Sequence, residues 1–278
     1  MNNKLMVIFA AASISAAAYA GDFDISWTRT SMDQSRTGTR IITADNVTEA
    51  LGKFDGKTYV APNGRRFKDG TVTASVARLM LDVQPKMAAV KEVIGYCPET
   101  MMREAPESAL TDLYVDQLMR TAEKLSGEKV DFGVANFGGV RTDLVKGDIL
   151  LDDILSMFPF KNSVCYLKLY GRDIRALLEQ FAGTRRFQIV GGVRCVVRDG
   201  RLKSVTIGGK PLEDNKVYGV AAISFVLNGG DDIFAAKNAL DLRMYDVMMG
   251  DFMVDYIREQ TAQGKPIVYQ KDGRVVYE

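Results

Sequence analysis

Four short runs of the sequence carry residue types that could hold a ligand. The first, Asn136-Phe137-Gly138-Gly139-Val140-Arg141, follows the apolar stretch VDFGVA. Paired glycines let backbone N–H groups approach an anion closely, and an arginine on the same turn adds a charged fork suited to phosphate. A strand-ending turn with a solvated arginine fits the run equally. The second, Phe158-Pro159-Phe160-Lys161-Asn162, can present an aromatic face on a proline turn, with an amide beside it for the edge of a heterocycle. Taken alone, core packing of both phenylalanines is the favoured reading. The third, Ser224-Phe225-Val226-Leu227-Asn228-Gly229-Gly230-Asp231-Asp232, repeats that character at the end of another apolar run. Asp231 is a candidate acceptor for sugar hydroxyls, although turns of Asn, Gly and Asp are common without any ligand. The fourth, Met101-Met102-Arg103-Glu104, precedes a predicted helix, whose free N–H groups and dipole favour anions. A solvated Arg103 is the blander alternative. Together, two aromatics, an amide, a carboxylate and one or two arginines are what a purine nucleotide needs. Base–aromatic stacking is worth about 1–3 kcal/mol per base, and arginine matches phosphate geometry.

Composition excludes other chemistry. The 278 residues contain no histidine, which removes every Ser-His-Asp or Cys-His arrangement, HExxH metal sites and imidazole proton shuttles. Lys and Arg number 36 against 35 Asp and Glu, so neither nucleic acid nor an anionic membrane surface is expected as a partner. Cys97, Cys165 and Cys195 have no zinc-ligand or CxxC spacing. Cys165 and Cys195 lie in apolar strand-like runs and read as buried free thiols.

Those runs need elements to position them. The start MNNK, the apolar run LMVIFAAASISAAA and the Ala18-Tyr19-Ala20 cleavage pattern predict a signal peptide over residues 1–20. An exported protein, periplasmic or extracellular and soluble after cleavage, is expected, with no membrane span. Residues 21–100 read as an N-terminal extension packed on the core: a polar, turn-rich part with Asn-Gly and Asp-Gly hairpin signals and Trp27, then a helical pattern from Val72 to Gly95. Its predicted apolar face is Val76, Leu79, Met80, Val83, Met87, Val90, Val93 and Ile94, with Pro85 as a kink. In residues 101–278 a helix is expected from near Ser108 to Gly127, then a strand over 130–135, a short helix over DDILSMF, the strand SVCYLKLY and a helix from Gly171. Strand-like runs with DG and GG turns suggest a meander, followed by a helix near DVMMGDFMVDYIREQ and a terminal strand, PIVYQKDGRVVY. This order predicts an α+β fold with mixed β-sheets packed with helices.

ANFGGVRTDLVKGDI, LSMFPFKNSV and ISFVLNGGDDIF, in this order and spacing, resemble the C-terminal domain of the bacterial and animal 5′-nucleotidases over roughly residues 100 to 275. The resemblance implies a nucleotide-binding, non-hydrolytic domain of that fold. Phe160 and Phe225 would stack the base, Asn162 would meet its edge, and Asp231 would hold the ribose. Asn136, Gly138, Gly139 and Arg141 would sit by ribose and phosphate, with Arg103 an approximate candidate for an upstream arginine. Lys161 and Asp232 replace family glycines, so ligand preference is expected to differ.

Family enzymes also carry a metallophosphatase domain that holds two metals with His, Asp and Asn. With no histidine present, no catalytic residue, metal site or cofactor is expected in this chain. The resemblance therefore implies the substrate-binding half of a split 5′-nucleotidase, requiring a separate metallophosphatase chain. A non-catalytic nucleoside or nucleotide scavenging protein is one alternative. Another is a magnesium-dependent phosphohydrolase using Asp148, Asp152, Asp153, Asp231 and Asp232.

Overall fold

A computed structural model describes residues 47–184 and 186–278. The expected signal peptide and Trp27 lie outside the described residues.

The N-terminal part begins with helix α1 (Val47–Leu51), followed by three short strands, β1 (Lys53–Asp55), β2 (Thr58–Val60) and β3 (Arg66–Lys68). They form an antiparallel sheet, with Asp55-Gly56 turning the first hairpin and Gly56 at φ 58°. Helix α2 (Val72–Met87) is capped by Thr71, whose hydroxyl accepts from the Ala74 N–H. It packs Ala74 and Ala77 against Tyr59, Phe54, Ala61 and Phe67.

That corrects the predicted apolar face. Val76 (52% exposed), Leu79 (64%), Met80 and Met87 point to solvent, while small alanines let the helix approach the hairpins. A 3.6-residue period marks a stripe but not which side is covered. The helix also stops before its predicted end. A 3₁₀ turn (Ala88–Lys91) leads into β4 (Val93–Cys97), so Val93 and Ile94 are strand residues. β4 pairs antiparallel with β6 (Gly147–Leu150), which joins this stretch to the larger body.

The larger core is organised by helix α3 (Ala109–Ser126). Ser108 and Thr111 cap its start reciprocally: Ser108 Oγ accepts from the Thr111 N–H at 3.3 Å, and Thr111 Oγ1 accepts from the Ser108 N–H at 2.9 Å. Gly127, at φ 68°, ends it. Leu110, Leu113, Tyr114, Val115 and Leu118 are fully buried, and each of the four aliphatic side chains contributes about 1.5–3 kcal/mol. The helix lies close over the sheet because Gly133 leaves room: a Cβ there would sit 2.7 Å from Met119 Cγ.

The remaining elements are β5 (Phe132–Ala135), helix α4 (Leu151–Met157), β7 (Ser163–Tyr170), α5 (Gly171–Ala182), β8 (Ile189–Gly191), β9 (Val193–Arg198), β10 (Arg201–Ile207), β11 (Lys210–Pro211), β12 (Val217–Ile223), β13 (Asp241–Met248), α6 (Met249–Ala262) and β14 (Val275–Tyr277). The fold is mixed α+β, as expected. A five-stranded sheet runs β13-β7-β12-β5-β8, and a four-stranded sheet runs β11-β10-β9-β14. The expected meander therefore holds only for β9, β10 and β11; β8 and β12 join the other sheet. Within the terminal run, only Val275–Tyr277 forms a strand, parallel to β9.

Candidate functional site

Register brings the candidate loops to one edge of the five-stranded sheet. β5 and β12 are parallel, with Val134 opposite Ala222. β7 is antiparallel to β12, with Val164 opposite Ile223. The C-terminal ends of β5 and β12 and the N-terminal end of β7 therefore open together. The first carries Asn136–Arg141, the second Phe225–Asp231, and the third Phe160 and Asn162. Ser163 N–H donates to Ser224 Oγ at 3.0 Å, tying the last two loops.

Side chains complete the connection. Asn136 is buried, and its Nδ2 donates to Asp231 Oδ2 at 2.8 Å. Asn136 Oδ1 is buried with no hydrogen-bond partner. Gly138 and Gly139 lie against this pair: a Cβ on Gly138 would be 3.4 Å from Asp231 Oδ2, and one on Gly139 2.8 Å from Asn136 Oδ1. Arg141 Nη1 donates to the Gly138 carbonyl at 3.3 Å, and its guanidinium carbon lies 5.9 Å from the centre of the Phe160 ring. On the far side, Gly230 supports Phe225, because a Cβ there would meet the Phe225 carbonyl oxygen at 2.1 Å and its ring at 2.6 Å. A continuous path of contacts thus runs Phe160–Arg141–Gly138–Asn136–Asp231–Gly230–Phe225.

Both end rings are exposed, Phe160 by 45% and Phe225 by 41%. The core instead takes Phe158, which stacks on Tyr114 with ring centres 4.9 Å apart. The loop after β12 is conformationally demanding: Asp231 and Asp232 have φ of 50° and 59°. Left-handed backbone costs most L-residues about 1–2 kcal/mol, and Asn and Asp tolerate it best. A turn from Asp232 N–H to Gly229 C=O (3.1 Å) and the Gln180 Nε2 bond to Asp232 C=O (2.8 Å) hold it in place.

Two candidates stand slightly apart from that path. Asn162 donates through Nδ2 to Met249 Sδ at 3.5 Å, and its carbonyl accepts from the Met249 N–H at the start of α6. Arg103 reaches the same β5 turn from another direction. Its Nη1 donates to the Val140 carbonyl, and its guanidinium lies 5.5 Å from the Phe137 ring centre. Arg186, which sequence did not single out, lies 4.9 Å from that ring centre. Gln188 Oε1 accepts from the Phe137 N–H at 2.8 Å. Only the pairing of β8 with β5 brings these two here. Ser224 carried a signal, standing next to Phe225 at the strand end.

A match to the family model for the 5′-nucleotidase C-terminal domain spans residues 87–238, more than half of the chain. The chain belongs to the 5′-nucleotidase C-terminal domain family. A 5′-nucleotidase of Vibrio cholerae is 36% identical over 107 residues, 37% of this chain and 19% of that protein. A cell wall protein of Listeria monocytogenes, Lmo0130, is 28% identical over 262 residues, 84% of this chain and 33% of that protein. The chain thus spans a third or less of these curated relatives. The crystal structure of a 5′-nucleotidase precursor from Thermus thermophilus matches with a TM-score of 0.65 at 24% identity, covering 79% of this chain and 45% of that one; this likeness is one of fold.

Of the other carboxylates in this 5′-nucleotidase C-terminal domain, Asp153 serves the scaffold. Asp153 Oδ2 accepts from the Leu150 N–H at 2.8 Å, capping α4. Burial holds its carboxyl above the usual range, against the pull of that bond. Among the described residues, oxygens of Glu107, Asp112 and Asp272 lie within 4.8 Å of one another, but the Arg274 guanidinium already supplies the positive charge there. Cavities of about 440, 810 and 250 Å³ are lined by residues outside the path described above. Cys97, Cys165 and Cys195 are buried free thiols, and no described helix is long and apolar enough to cross a membrane.

Proposed function

We propose that the chain binds a nucleotide at the edge of the five-stranded sheet, with the base between Phe160 and Phe225. The observation that carries this reading is the contact path between two exposed rings through Arg141, Asn136 and Asp231. Exposed aromatic faces at both ends suit a flat heterocycle. Arg141, on a glycine turn, suits a phosphate. The buried, unpaired Asn136 Oδ1 and the Asp231 carboxylate are acceptors for sugar hydroxyls, and an orphaned buried acceptor gains most from a donor.

In this reading the chain supplies the substrate-binding half of a 5′-nucleotidase and presents the nucleotide to a metallophosphatase on another chain. The family match and the lack of histidine in the 278 residues support that division. Export, expected from residues 1–20, belongs to the same proposal. Phosphate release from AMP tests the division. The chain alone is expected to bind AMP without hydrolysing it and to alter the rate of a matched metallophosphatase. Metal-stimulated phosphate release by the purified chain alone would overturn the division, as would a matched enzyme indifferent to it.

A further inference from the structure

Away from the nucleotide edge, the start of α3 meets a C-terminal strap, residues 272–277, around a group of buried charges. Glu107 holds the strap's backbone: Oε1 accepts from the N–H groups of Asp272 and Gly273 at 2.8 and 2.7 Å, and Oε2 from that of Val275 at 3.2 Å. Arg274 projects back from the strap. Its Nη1 and Nη2 engage both oxygens of Asp116, at 2.9 and 3.1 Å. Its Nε lies 3.1 Å from Asp272 Oδ1 and 3.4 Å from Asp112 Oδ2. Three carboxyl groups, of Asp112, Asp116 and Asp272, contact one guanidinium, and a fourth, of Glu107, lies beside Asp112 and Asp272. Glu107, Asp112 and Arg274 are buried.

The charges do not balance if every carboxyl is ionised. Glu107 already accepts three backbone N–H bonds, and the Arg274 fork is spent on Asp116 and Asp272. Asp112 is 2% exposed, and its Oδ2 has no hydrogen-bond partner. An ionised carboxylate in that position would be buried with only the 3.4 Å contact to Arg274 Nε as its pair, which is unfavourable. The other groups facing the cluster are Tyr269, whose hydroxyl donates to Asp116, Arg194 of β9, which donates to the Asp272 carbonyl at 2.7 Å, and the neutral Cys195 thiol of β9. None of these neutralises Asp112.

We propose that this cluster is a proton-coupled latch: Asp112 carries a proton while residues 272–277 are docked on α3 and β9, and undocking the strap releases it. Burial, the largest influence, pushes the Asp112 carboxyl up to about 8; Arg274 pulls it down, and Glu107 and Asp272 push it further up. The solvated carboxyl of the undocked state titrates in the ordinary range, near 4. Between the two values the docked state binds one more proton than the open one. Each unit rise in pH therefore increases the opening constant about tenfold. Above about 8 both states are ionised and the dependence ends.

Hydrogen–deuterium exchange of the full chain between pH 5 and 9, corrected for intrinsic exchange, tests the latch. The amides of Gly273 and Val275 are expected to open about tenfold more for each pH unit up to about 8, then level off. Asp112→Asn, which mimics the protonated side chain, is expected to abolish the slope. Glu107→Gln keeps an acceptor for the strap but removes a buried negative charge, and is expected to move the sloping range to lower pH. Wild-type opening that is independent of pH overturns the proposal. So does an Asp112→Asn slope equal to the wild type's, or an unshifted range in Glu107→Gln.

Discussion

Asn136 and Asp231, 95 residues apart, meet through a 2.8 Å hydrogen bond that joins the turn after β5 to the loop after β12. The bond places an aspartate in a left-handed backbone conformation beside a buried amide. Asp231→Asn keeps an acceptor oxygen and a residue tolerant of that conformation, so it should leave the urea midpoint near wild type. Asp231→Ala loses both and should destabilise by about 1–3 kcal/mol. Equal midpoints for the two variants would show that the bond contributes nothing.

Gly230 underlies Phe225. An added Cβ would overlap the Phe225 carbonyl oxygen, which is backbone and cannot simply rotate away. Gly230→Ala is expected to cost about 1–3 kcal/mol and to displace the ring from its position over the loop. Thermal denaturation reads the first effect and AMP titration the second, with weaker binding expected.

The Arg141 side chain is exposed and makes one long hydrogen bond, to the Gly138 carbonyl. Replacing it should barely change stability. If it meets the phosphate, Arg141→Ala should lower the preference for AMP over adenosine at least about tenfold, since a charge-assisted bond is worth about 1.5–3 kcal/mol. Adenosine affinity should stay within about twofold on the same energy scale, and the AMP advantage in wild type should shrink as salt rises.

The three thiols offer a separate check on the fold. Burial pushes Cys165 and Cys195 up to about 12 and also raises Cys97. The reactive thiolate is therefore scarce at neutral pH. A thiol reagent should label none of them in the native protein at pH 7 and all three in denaturant. Labelling at pH 7 without unfolding would mean that one of these strands opens locally.

The parts of this fold that could be read from sequence were those governed by local chemistry. Ser108 and Gly127 bound α3 because a cap and a left-handed terminator act within a few residues. SVCYLKLY is β7 in full. Pairing partners were not legible: nothing local tells Ile189 to join β5 instead of β9, so Arg186 and Gln188 arrived at the β5 turn unforeseen. The exposed stripe of α2 failed for a related reason, since periodicity is blind to which neighbour covers a helix. At the candidate site, the exposure of Phe160 and the burial of Phe158 separate two residues that residue type alone treats alike; in the sequence only the family resemblance singled out Phe160.

Calorimetric titration of the purified chain with AMP and adenosine, beside the Phe160→Ala/Phe225→Ala double variant, tests whether the two rings hold the base. Both rings are exposed, so the double variant should fold with near wild-type stability. Wild type is expected to bind both ligands, AMP more tightly, and the double variant to lose at least about 1–3 kcal/mol of affinity for each. Binding unchanged in the double variant, or no binding of either ligand by the folded wild type, would contradict that expectation.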